Sequence, residues 1–89
     1  MTALLTAEVL QDHLAVSLAR AIAAANSKAR ELGVDVSQSL ISITQQTLDN
    51  NSTWQINYGA QDYISRRGGN VLIEVDMDDA TIKRVVRGQ

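Results

Sequence analysis

The spacing of apolar side chains changes period along this chain, and the change divides it into a helix and a sheet. From about Ala7 to Leu32, Leu10, Leu14, Leu18, Ile22, Ala25, Ala29 and Leu32 recur at steps of three and four. That is the spacing of an amphipathic helix with one stripe turned to a core. Thr6 is its expected N-cap, and Glu8 and Asp12 lie near the positive end of the helix dipole. Lys28 and Arg30 lie near the negative end, and Gly33 follows as a residue free to take positive φ. The middle, Ala15 to Asn26, is apolar nearly all the way round. Val9, Val16, Ala19 and Ala23 form a second, narrower line that predicts either contact with another copy of the chain or a surface filled with a good helix former.

Beyond Gly33 the period becomes two. Leu40, Ile41, Ile43, Thr44 and Thr47 suit a strand of about Ser39 to Leu48. Asp49-Asn50-Asn51-Ser52 is a turn cluster. In TWQINYG, Trp54, Ile56 and Tyr58 share one face, and Thr53, Gln55 and Asn57 share the other. Register alone does not say which face meets the helix; packing of the aromatic face beneath it is the reading taken. A loop, AQDYISRRGGN, leads to a closing hairpin with strands of about Asn70 to Met77 and Ala80 to Arg87. Val71, Ile73, Val75 and Met77 point one way, and Glu74 and Asp76 point the other, toward water. The predicted fold is α+β: one long N-terminal helix packed on a four-stranded antiparallel sheet, in the order α-β-β-β-β, as a single domain over residues 1–89.

Composition narrows the chemistry. The chain has no cysteine, which excludes disulfides, thiolate metal sites and thiol catalysis. With no phenylalanine and only Trp54, Tyr58 and Tyr63 as aromatics, the core is left mainly to Leu, Ile, Val and Ala. The formal charge of −2 gives no overall pull toward nucleic acid or an anionic membrane. Arg66, Arg67, Lys83, Arg84 and Arg87 cluster late in the chain, but Asp62, Glu74, Asp76, Asp78 and Asp79 lie among them, so the surface is of mixed sign. No run of about 18 apolar residues is present to cross a membrane. The opening MTALLTAEVLQDHL lacks a basic region and meets acidic residues too early for a secretory signal. The expected setting is cytoplasmic, with removal of an earlier signal left open.

The segment GGNVLIEVDMDDATIKRVVRGQ resembles the end of PepSY-type domains, which close with a strand, a V-D-x-x-T-G turn and a returning strand. It is also similar to the close of small bacterial immunity proteins of cystatin-like fold. In those, a tryptophan-bearing strand precedes Gly-Gly and a basic-Gly-polar end, as Trp54, Gly68-Gly69 and Arg87-Gly88-Gln89 do here. The resemblance implies an inhibitory or regulatory module. Ala80 stands where that pattern has glycine, and because alanine resists positive φ, the turn is expected to slip, with Asp78 or Asp79 taking the left-handed position.

No residue set marks catalysis. His13 is the single histidine, and a serine four residues on, Ser17, does not make a triad without a convergent pocket. Glu74, Asp76, Asp78 and Asp79 lack the longer series, glycine and final bidentate Glu of a calcium loop, so no metal is assigned. Arg66-Arg67-Gly68-Gly69 is neither a P-loop nor a dinucleotide fingerprint and reads as a solvated loop. The resulting expectation is a non-enzymatic protein-binding module without cofactor. Tyr63, Arg66, Arg67, Arg84 and Arg87 would meet another protein, and the arginines would steer an acidic partner. The alternatives are a homodimer through Val9, Val16, Ala19 and Ala23, or a small-ligand binder.

Overall fold

A computed structural model describes residues 11–60 and 70–87. Helix α1 spans His13–Glu31 and is followed by a single 3-10 turn, Val36–Gln38. Four strands follow: β1 Ser39–Leu48, β2 Asn51–Ala60, β3 Val71–Asp76 and β4 Ile82–Arg87. They form one antiparallel meander in the order β1-β2-β3-β4, and the helix packs on β2 and β3. This is the predicted α+β fold.

The helix starts later than its apolar stripe suggests. Asp12 is extended, and its Oδ1 accepts from the N–H groups of Leu14 at 3.0 Å and Ala15 at 3.1 Å. It is therefore the N-cap itself, satisfying donors that have no partner within the helix, and the expected unbroken helix from Ala7 is corrected. The expected cap Thr6 lies outside the described residues, as does Leu10. At the other end Gly33 takes φ +88. Its N–H donates to Arg30 O at 3.0 Å and the N–H of Val34 to Ala29 O at 2.9 Å, the paired bonds of a Schellman close.

The face turned to the sheet is built from alanine more than leucine. Ala21, Ala25 and Ala29 are fully buried, with Leu18, Ile22 and Leu32 packed around them. Leu14 shares that face but sits in the first turn, where it is exposed. Opposite lie Trp54, Ile56 and Tyr58 from β2 and Val71, Ile73 and Val75 from β3, all buried. The sheet supplies the volume and the helix supplies small side chains that let the two backbones approach.

Three part-buried hydrogen bonds tie the helix to the sheet and its closing turn. Trp54 Nε1 donates to Ser17 Oγ at 2.9 Å, and Ser17 Oγ donates in turn to Met77 O at 2.7 Å. Tyr58 OH donates to Asn26 Oδ1 at 2.6 Å. Burial pushes the Tyr58 hydroxyl up to about 12, against the opposing pull of the Arg30 charge.

The two described turns are resolved by positive φ. Asp49 at +50 and Asn50 at +69 form a two-residue connection of type I′. The expected four-residue turn is thus shorter, and Asn51 and Ser52 already belong to β2. Between β3 and β4, Asp76 N–H donates to Thr81 O at 2.8 Å, and Ala80 N–H to Asp76 O at 3.0 Å. Ala80 itself is left-handed, with φ +61. The expected slip onto Asp78 or Asp79 does not occur, and β4 begins at Ile82 rather than Ala80. What holds alanine there is the Asp76 carboxylate, whose Oδ1 accepts from Asp78 N–H at 2.7 Å and Asp79 N–H at 3.2 Å. The Asp79 Oδ1 accepts from Thr81 N–H at 2.9 Å.

Candidate protein-interaction surface

With the helix on one side, the sheet presents its other side to water. Register places Leu40, Ser42, Thr44, Gln46 and Leu48 of β1 on that side. They lie beside Thr53, Gln55, Asn57 and Gly59 of β2, and Leu72, Glu74 and Asp76 of β3 come next. Val86 and Arg84 of β4 lie opposite Leu72 and Glu74 and complete the row. The register of β4 shifts between Glu74 and Val75, a bulge that adds Lys83 to the strand without a partner.

A polar ladder crosses the middle of this face. Gln55 Nε2 donates to Gln46 Oε1 and to Glu74 Oε2, the second at 3.0 Å. Glu74 Oε1 lies 3.7 Å from Arg84 Nε, so each of the four strands contributes one side chain. Asp76 Oδ2 meets Lys83 Nζ at 3.6 Å beside it. These pairs are half-exposed and contribute little stability, but they fix the orientation of the charges. Toward one end the face turns apolar. Leu40 and Val86 are exposed and Leu72 half-buried. Between them Gly59 leaves room that the side chains of Asn70 and Asn57 take up: a Cβ at position 59 would stand 3.2 Å from Asn70 Oδ1.

The residues expected to meet a partner do not converge. Arg84 lies on the open face in the ladder. Arg87 lies opposite Val71, on the helix side, and its Nη1 donates to Leu32 O at 3.4 Å, where a cation offsets the negative end of the helix. Tyr63, Arg66, Arg67 and the Gly68-Gly69 pair lie outside the described residues, as does Val9. On the helix, Ala19 and Ala23 are exposed and Val16 half-buried, and the 100° step per residue puts all three on the side away from the sheet.

The other candidates have structural employment. Ser17 is held by Trp54 and Met77, and His13 is exposed in the first helical turn. In the acidic turn the Asp76 and Asp79 carboxylates accept from turn N–H groups. Hydrogen bonds from the side chain and then the N–H of Thr81 hold the Asp79 carboxyl below its ordinary range. Among the described residues no three acidic or histidine side chains converge as metal ligands, and no helix is long and apolar enough to cross a membrane. Sequence reasoning missed the Gln46–Gln55–Glu74–Arg84 ladder. Its signal was the placing of one long polar residue per strand on the wet face, visible only once the register between strands is known.

Comparison of the chain with protein-family models, with curated proteins and with solved structures yields no match.

Proposed function

We propose that this chain is a small non-enzymatic protein-binding module, an inhibitor or immunity-like regulator that acts by covering the surface of another protein. The observation that carries this reading is the open sheet face. It joins an apolar end at Leu40, Leu72 and Val86 to a central ladder of oriented polar groups, the pairing of apolar anchor and polar surround that recognition surfaces use. Ser17, four residues from His13, is engaged by Trp54 and Met77. The resemblance of the closing hairpin to inhibitory domains points the same way, and a bacterial, cytoplasmic setting belongs to the same proposal.

The test is retention of a partner from a lysate of the source cells on the immobilised chain. A specific polypeptide held by the wild type should be lost from Leu72→Gln and from Val86→Lys, each folded by circular dichroism, and kept by Ala23→Gln on the far side of the helix. Equal retention by all of them, or none by the wild type, removes the open face as the working surface. Self-association is a second reading, and the observation favouring it lies on β1.

A further inference from the structure

The two edges of this sheet are built differently. Natural sheets keep an edge strand from pairing with another chain by charge, proline, a bulge or short length. β4 uses several of these: Lys83, Arg84 and Arg87 along six residues, with a register shift against β3. β1, SLISITQQTL, uses none. It is ten residues long, carries no charge and no proline, and pairs with β2 in unbroken register. Its apolar side chains are exposed on both faces. Ile41 and Ile43, 41% and 39% exposed, lie on the helix side beyond the strands on which the helix packs. Leu40 and Leu48, 53% and 61% exposed, lie on the open side.

The main chain of β1 is also poised. The two-residue turn makes Leu48 and Asn51 the closing hydrogen-bonded pair. The alternation of an antiparallel ladder then aims the N–H and C=O groups of the even-numbered β1 residues at β2. Those of Ile41, Ile43, Gln45 and Thr47 are aimed outward.

We infer that β1 pairs antiparallel with β1 of a second copy about a two-fold axis, joining two four-stranded sheets into one. The strand's own symmetry selects a second copy over a foreign strand. With the axis at Thr44, every odd residue faces an odd residue, so outward main-chain groups meet outward main-chain groups. The isoleucines of both copies stay on the helix side, and Leu40 faces Leu48 at both ends. A charge on the axis would face its own copy, which is destabilising, and β1 carries no charge at any position. The contact strip is about 33 Å long and falls at the small end of specific interfaces, so the dimer dissociates on dilution. This inference does not rest on the partner reading: capture through Leu72 and Val86 can fail while the dimer stands.

Sedimentation of the full chain tests it. The wild type should be a dimer at about 100 µM and largely monomer at about 1 µM, by mass action. Thr44→Lys puts like charges on the axis, and Gln45→Pro removes an outward N–H while sparing the bonds to β2. Each should weaken the dimer at least about tenfold, a modest change for a central contact, while Ala19→Glu leaves it intact. A wild type that stays monomeric overturns the inference, as does a dimer that Ala19→Glu breaks and the β1 variants leave alone. Should both β1 variants fail to fold, amide exchange of the wild type decides. The N–H groups of Ile41, Ile43, Gln45 and Thr47 should exchange more slowly at the higher concentration; rates independent of concentration overturn it.

Discussion

At Ala80 a single methyl group works against the backbone that carries it. Left-handed φ costs an ordinary residue roughly 1–2 kcal/mol, and the turn keeps it because the Asp76 and Asp79 carboxylates between them engage the amides of Asp78, Asp79 and Thr81 on either side of Ala80. Ala80→Gly should therefore raise stability by about 0.5–1 kcal/mol in urea unfolding, the strain released being partly offset by glycine's greater unfolded entropy and the lost contact of a half-buried methyl. No gain would mean that the methyl packing matters more than the strain. The sequence marked the location of this turn through its aspartates but not its conformation. The steric penalty on alanine pointed to a slip, and the carboxylate bonds that outweigh the penalty depend on geometry that spacing does not reveal.

Helix α1 and the sheet meet through an exchange of sizes. The stripe of leucines was legible as a helix face, and the alternation in β2 and β3 was legible as a buried and a wet side. Ala21 was not legible as core, because in AIAAAN alanine occupies every direction and nothing in the pattern separates buried from exposed copies. The strand volumes decide: Trp54 and Tyr58 fill the space that larger helix residues would need. Ala25→Leu should accordingly cost about 1–3 kcal/mol through overpacking, read as a lower midpoint of denaturant unfolding, whereas Ala23→Leu on the exposed side should change it little. Ser17→Ala should cost about 1–3 kcal/mol, since it strips the partner from the indole N–H of a buried tryptophan. A change in tryptophan fluorescence should accompany it.

At the scale of the molecule, Tyr58 carries a titration deep in the framework. An unfolded tyrosine gives up its proton near pH 10, and Tyr58 in the fold holds its own to about 12. Between those values the folded state binds more protons than the unfolded one. The contribution is complete below pH 10 and declines as pH rises through 12. Tyr58→Phe should show a shallower fall in unfolding midpoint than the wild type over that window, and parallel curves would contradict the assignment. At this scale the architecture was legible and the working surface was not. The expected set was chosen by charge, and Arg84 and Arg87 sit an odd number of residues apart on a strand, which sends them to opposite sides. The unlike borders of the sheet have a last consequence. Because β4 is guarded by its cations and its bulge, a chain joined at β1 offers no second open sheet edge among the described residues. Growth stops at a closed pair, and the very segment that looks hazardous for fibre formation is used up by the first partner that docks.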